Sequence, residues 1–188
     1  MGVKQGLENV VEAARLADAQ NVTVRFVLLG NGGQRERLRQ LAGGVDRVQF
    51  IDPLPDDDYA AAIQSADVLL VNEKPGVSEM AVPSKLTSYF SAGKPVLAAT
   101  DPAGITAGEI ARADAGVVVP SGAPQTLLAA ALDLGRDPIR ASRLGANGLR
   151  YRRTVLDEDT ALDKFTDILT CVIEEHSTRR SVKGRVRA

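Results

Sequence analysis

Two segments of this 188-residue chain combine residue types and spacing suited to holding an anion. In the first, the aliphatic run Val68-Leu69-Leu70-Val71 passes into a loop of 12 residues, Asn72 to Pro83. Pro83-Ser84-Lys85-Leu86 then opens a helix that stops at Gly93, with Lys94 and Pro95 beyond it. Loops of that length without secondary structure are usually functional, and a helix N-terminus offers unpaired N–H groups and the positive end of its dipole to an anion. Lys85 in the first turn opposes the dipole by about 0.3 kcal/mol or somewhat more, which makes sense beside a bound anion. Equally, Ser84 can be a simple N-cap and Lys85 a solvated side chain, and spacing leaves both readings open. The second segment is Gly30-Asn31-Gly32-Gly33, where glycines after an apolar strand let backbone approach a ligand closely. Any tight strand-to-helix turn uses glycines too, and the dinucleotide fingerprint with its later acidic residue is absent. Lys4-Gln5-Gly6, ahead of the first helix, adds a lysine at the same level. Asp67 reads as a turn residue or cap, Tyr89 and Cys171 as helix core positions, and His176 as the border of a polar tail.

Periodicity supplies the elements that must position these residues. A helix over Leu7 to Ala19 is followed by a buried strand Val22 to Leu29, a helix Arg35 to Ala42 and a strand Val48 to Ile51. A short helix Tyr59 to Ser65, a strand Asp67 to Val71, a helix Ser84 to Ala92 and a strand Pro95 to Ala99 follow. Beyond them lie a helical turn near Gly108 to Ala113, a strand Gly116 to Val119, and helices Pro124 to Leu134, Ile139 to Tyr151 and Asp159 to Glu175. Strict alternation of this kind means parallel strands joined by right-handed crossovers, so the expected fold is an α/β, doubly wound parallel sheet. Such a half-domain normally opens on the strand near the middle of its sheet, whereas this chain opens on a helix, so the fold is expected to lack its first strand. A late start codon, a cut or a truncated gene would each produce this. Residues 1–175 are expected to form one domain, and 176–188, with Arg179, Arg180, Lys183, Arg185 and Arg187 and almost no apolar content, a basic disordered tail.

Composition bounds the function. With 44% hydrophobic and 25% charged residues and a net charge of −1, the chain falls in the globular class and shows no basic excess for nucleic acid. Its longest apolar runs are strand-sized, far short of the roughly 20 residues that cross a bilayer. The N-terminus lacks a secretory pattern, which points to the cytoplasm. A single cysteine and a single histidine exclude a thiolate cluster and a His-rich metal site.

Five blocks in order carry a resemblance: Lys4-Gln5-Gly6-Leu7 with Glu12-Ala13-Ala14; Val27-Leu28-Leu29-Gly30-Asn31-Gly32; Val48-Gln49-Phe50-Ile51; Ala66-Asp67-Val68-Leu69-Leu70; and Val82-Pro83-Ser84-Lys85-Leu86 with Ala92-Gly93-Lys94-Pro95-Val96. Over about residues 1 to 170 the chain resembles the C-terminal, donor-binding domain of retaining family 4 glycosyltransferases of GT-B fold, especially the bacterial cell-surface polysaccharide type. The resemblance implies a Rossmann-like half-domain that holds a nucleotide-sugar donor, uridine or guanosine diphosphate-linked, while a missing N-terminal domain binds a glycan or lipid-linked acceptor. Lys4 and Lys85 would face the diphosphate, Ser84 and Leu86 would offer backbone N–H groups, and Gly30, Asn31 and Gly32 would lie along the cleft. A leaving diphosphate gains charge as the glycosidic bond breaks, and fixed donors with a lysine stabilise it without a metal or cofactor.

The sequence departs from the family at its paired glutamates, whose positions fall at Met80 and Ser88. Glu79 lies one position from the first and is the candidate replacement, acting with Lys85 in catalysis; Ser88, inside the helix, remains a donor-side position only. Gln5 stands where the family commonly has a lysine, with Lys4 beside it. The chain alone is expected to be inactive, and the full enzyme's acceptors allow a peripheral association with membrane. Other readings are a non-catalytic nucleotide-binding or protein-interaction module and a fragment of a nucleotide-sugar epimerase, the latter disfavoured by the scarcity of acid-base groups.

Overall fold

A computed structural model describes residues 1–77 and 84–157, together with Thr166, Leu169 and Thr170. The chain divides into two units, Met1–Arg150 and Tyr151–Ala188. In the first, a 3₁₀ turn, Val3–Gln5, leads into α1 (Glu8–Ala19), β1 (Phe26–Leu29), α2 (Arg35–Leu41), β2 (Val48–Ile51) and α3 (Asp56–Ser65). Then follow β3 (Leu69–Asn72), α4 (Ser84–Ser91), β4 (Val96–Thr100), α5 (Ile105–Ala113), β5 (Gly116–Pro120), α6 (Pro124–Arg136) and α7 (Pro138–Thr154), which runs across the boundary between the units. In the second unit, the end of α7 closes with Val155 N–H donating to Tyr151 O at 2.9 Å. The expected helix Asp159 to Glu175 and tail 176–188 lie almost wholly outside the described residues, as do Cys171 and His176.

All strand pairs are parallel, as the alternation predicts. They form two sheets, β1-β2 and β3-β4-β5, rather than one continuous sheet. β4 lies between two partners and is buried along its whole length, Val96 to Thr100, as a strand covered on both faces should be. Phe26 and Leu28 of β1, Leu97 and Ala99 of β4 and Val119 of β5 share one apolar core with Val10, Ala13, Ala14 and Ala17 of α1 and with Leu127, Leu128 and Leu134 of α6. Val11, Leu38 and Ala42 form a smaller cluster joining α1 to α2.

The structure shortens some predicted elements and lengthens others. The strand expected over Val22 to Leu29 begins only at Phe26, where the ladder Phe26↔Val48 starts. Residues 22–25 meet no neighbouring strand, and Val24 N–H bonds locally to Val22 O at 3.1 Å. α3 starts at Asp56 rather than Tyr59, because Asp56, Asp57 and Asp58 place three carboxylates in its first turn, where the dipole favours them. The turn near Gly108 is a full helix from Ile105. The strand expected over Asp67 to Val71 runs instead from Leu69 to Asn72, which carries an asparagine to the sheet's C-terminal edge.

Close packing of α7 depends on glycine. A Cβ at Gly145 would collide with the carbonyl oxygen of Gly93 and lie 2.7 Å from its carbonyl carbon. Alanine ordinarily favours a helix interior over glycine by about 0.5–1 kcal/mol; here Gly145→Ala is expected to destabilise by about 1–3 kcal/mol through overpacking. Urea unfolding checks this, and a more stable variant would mean that α7 does not pack against the turn at Gly93.

Candidate functional site

An open cleft of about 1760 Å³ runs the length of β1 and β3 as far as α6 and the start of α7, and at the C-terminal ends of the strands its lining includes Lys4, Gly30, Asn31, Glu73, Ser84 and Lys85. In open parallel sheets this is the edge at which ligands bind. Three loops build it.

The first is the N-terminal turn. Gln5 folds back on its own turn, its Oε1 accepting from Gly2 N–H at 2.9 Å, so it is a capping residue here and not a projecting arm. Gly6 then takes a left-handed conformation (φ +55°), and a Cβ there would lie 2.9 Å from Lys74 Cα. Only glycine permits both the turn and the approach. Lys74 N–H donates to Lys4 O at 2.8 Å, and the Asn72 side chain completes the junction. Its Nδ2 donates to Gln5 O at 2.7 Å and to Gly6 O at 3.0 Å, while its Oδ1 accepts from Asn9 Nδ2 at 2.8 Å. Asn9 and Asn72 are both buried. The turn that carries Lys4 is therefore fixed to the end of β3, leaving the Lys4 side chain exposed.

The second loop follows β1. Gly30 N–H donates to Ile51 O at 3.0 Å, the last rung of the β1-β2 ladder, and Gly32 N–H donates to Asn31 Oδ1 at 2.8 Å. Gln34 N–H donates to Met1 O at 3.2 Å, and the Met1 amine donates to Asn31 O, which fastens the start of the chain to this turn. Arg35, at the start of α2, is nearly buried and pairs with Asp52 through Nη1, while its buried Nε and Nη2 have no hydrogen-bond partner.

The third is the start of α4. Lys85 is exposed as a residue, yet desolvation of its ammonium lowers its pKa. The Met1 amine is also shifted down, first by desolvation and then by the charges of Lys85 and Arg35. Lys85 of α4 and Arg35 of α2 thus both lie near the first residue.

Lys4, Gly30, Asn31, Ser84 and Lys85 all line this cleft. Gly32 lies in the turn beside it, Leu86 is fully buried under α4, and Ser88 is exposed on that helix outside the lining residues. Glu79, Met80 and Pro83 lie outside the described residues. Tyr89, expected in the core, is half-buried, and its hydroxyl is pushed up to about 12 by desolvation and the neighbouring Tyr59.

Four residues of this edge escape sequence reading. Besides Asn9, Asn72 and Arg35 there is Glu73, a buried carboxylate directly after β3. Its Oε1 accepts from Thr106 Oγ1 at 2.6 Å and its Oε2 from Thr100 Oγ1. It clamps the ends of β3 and β4 to the first turn of α5. A carboxylate placed immediately after an aliphatic strand, where a burying fold must supply partners, is the signal that could have marked it.

Comparison with known proteins follows the same lines. The family described as glycosyl transferases group 1 matches residues 1–137. WcaI of Escherichia coli K12, assigned as a colanic acid biosynthesis glycosyl transferase, is 38% identical over 96 residues, which are 50% of this chain and 23% of that protein. WaaG, a glycosyltransferase involved in lipopolysaccharide biosynthesis, superposes with a TM-score of 0.63 at 25% identity, covering 89% of this chain and 44% of WaaG. Anabaena HepE, solved with UDP-glucose, superposes with a TM-score of 0.72 at 18% identity over 91% of this chain and 46% of its own, a likeness of fold. The chain thus spans less than half the length of these relatives.

The junction at Asn72 has a measurable consequence. Asn72→Ala leaves Gln5 O and Asn9 Nδ2 without the Asn72 amide, while Gly6 O keeps the Asn9 N–H at 3.1 Å, at about 1–3 kcal/mol for each group left unpaired and buried. Amide exchange at Lys74, whose N–H holds Lys4 O, should accelerate while that at Leu97 in β4 stays slow. Unchanged exchange at Lys74 would show that the turn is held by other contacts.

Proposed function

Because the chain belongs to the glycosyl transferases group 1 family, we propose that it is the donor-binding part of a glycosyltransferase that moves a sugar from a nucleotide-sugar to a glycan or lipid-linked acceptor with retention of configuration. The observation that carries this reading is the convergence of Lys4, Lys85 and the glycine turn at Gly30 on one cleft at the C-terminal edge of the strands. The fold it shares with HepE, which was solved with UDP-glucose, supports a nucleoside diphosphate as the anion. Lys85 is suited to the task because it is already partly desolvated. A diphosphate beside it restores the stability of its charged form, and that gain grows as the leaving group becomes more negative.

In this reading Lys4 and Lys85 contact the diphosphate, Gly30, Asn31 and Gly32 border the nucleotide, and Ser84 and Leu86 contribute backbone N–H groups from the start of α4, whereas Ser88, outside the lining residues, has no part in it. Glu79 stands in for the first of the family's glutamates. The acceptor belongs to a separate N-terminal domain, so these 188 residues bind donor without turning it over. The reaction needs no metal or cofactor, since lysines and backbone dipoles supply the positive charge, and it takes place on the cytoplasmic side, with peripheral membrane association when the acceptor is lipid-linked. No helix among the described residues is long and apolar enough to cross a membrane.

Calorimetry with UDP or GDP on the complete enzyme is expected to give 10- to 100-fold weaker binding after Lys85→Ala, on the order of 1.5–3 kcal/mol for a charge-assisted hydrogen bond. Unchanged affinity would remove Lys85 from the donor site. Glu79→Gln should lower turnover with the fold and nucleotide affinity intact; full activity would return Glu79 to the role of a solvated loop residue.

A further inference from the structure

The loop after β3 brings a third lysine, Lys74, to the C-terminal edge. Its backbone is fixed on both sides: its N–H donates to Lys4 O at 2.8 Å, and its carbonyl accepts from Val77 N–H at 3.2 Å. Pro75, next in the loop, packs on Gly122 after β5, where a Cβ would lie 2.8 Å from Pro75 Cγ. Gly6 is pressed against Lys74 from the N-terminal turn, a Cβ there lying 2.9 Å from Lys74 Cα and 3.1 Å from its Cβ. Lys74 is nevertheless exposed, while Lys4 across the hydrogen bond and Glu73 along the chain both line the cleft. A fixed backbone thus puts an ammonium on a flexible four-carbon stem at the rim of the cleft. No ion pair occupies it. Among the described residues none of Lys4, Lys74 and Lys85 pairs with an acid, and Glu73, beside Lys74 in the chain, turns its two carboxylate oxygens to Thr100 Oγ1 and Thr106 Oγ1. Gln5, on the turn that Lys74 touches, is neutral and folds back to Gly2 N–H.

Taking the cleft as the donor site, the reading on which this role rests, we propose that Lys74 binds the donor phosphate nearest the transferred sugar, the β-phosphate, and stabilises it as it leaves. The direction of the donor follows from the two sides of the cleft. The glycine turn that borders the nucleotide follows β1, whereas Lys74 follows β3 on the opposite side, and the N-terminal turn carrying Lys4 is fastened to both. A nucleoside at the β1 side therefore points its far phosphate and the sugar towards β3. In the transfer, the bond between the anomeric carbon and the β-phosphate oxygen breaks, and its electron pair stays on that oxygen. The acceptor hydroxyl oxygen bonds to the anomeric carbon, and its proton leaves with the diphosphate. Charge therefore gathers on the β-phosphate, so a cation held there acts more strongly in the transition state than in the ground state.

Calorimetry on the complete enzyme, comparing UDP and GDP with UMP and GMP, tests this in the unaltered protein and in Lys74→Ala and Lys74→Arg. Neither substitution removes the backbone N–H that holds Lys4 O, and slow exchange of the amide at position 74 verifies that the turn stays in place. Lys74→Ala is expected to weaken binding of the diphosphate about 10- to 100-fold, as loss of a charge-assisted hydrogen bond should, and to leave the matching monophosphate unchanged. Lys74→Arg, which keeps the charge, should retain most of the preference for diphosphate over monophosphate. Equal losses for the two would take Lys74 away from the β-phosphate, and unchanged diphosphate affinity would take it out of the site; either result overturns the proposal. Failure of the unaltered enzyme to bind UDP or GDP would instead overturn the donor-site reading, and this role with it.

Discussion

The arrangement at the C-terminal edge depends on three hydrogen bonds made by one buried amide. Asn72 ends β3, and its side chain holds Gln5 O, Gly6 O and the Asn9 amide at 2.7–3.0 Å. An amide has two donors and an acceptor, and here each has a partner, so a polar residue in the interior costs little and specifies one geometry. β1 and β3 do not pair, and beside the apolar core that α1 shares with β4 and β5, this junction and the Lys74–Lys4 bond tie the N-terminal turn to the three-stranded sheet.

A second clamp works from the same strand end in the opposite direction. Glu73, one residue on, bonds Thr100 at the end of β4 and Thr106 in α5. Adjacent residues of an extended chain point to opposite sides, and β3 uses that alternation to tie Asn72 to the donor-side turn and Glu73 to the sheet behind it. Desolvation holds the pKa of the Lys85 ammonium below its ordinary value, a penalty that an anion beside it would relieve.

The architecture was legible in the sequence because it rests on local patterns. Apolar runs such as Val96 to Thr100 and helix stops such as Gly93 follow from period and turn chemistry, and the parallel pairing follows from the strand-helix alternation. Residues Val22 to Arg25 show the limit of that logic: they have strand composition, but a strand exists only where a neighbour completes its ladder. Helix and turn signals singled out Lys85 and Gly30, and both line the cleft. Asn72, Asn9 and Glu73 were not, since a polar residue at a strand end looks like any turn residue until the fold brings its partner from 63, 67 or 27 residues away. Arg35 was read as a helix opener for the same reason.

The central claim is that a nucleoside diphosphate sits on the turns around Gly6, Gly30 and Lys85. Backbone amide spectra of the complete enzyme, titrated with UDP and GDP, test it most directly. The account predicts saturable shifts at Gly6, Asn31, Ser84, Lys85 and Leu86 for at least one of the two nucleotides, with little change at β2 and α3. Saturable binding whose shifts fall elsewhere, or no shift at these turns with either nucleotide, would contradict it.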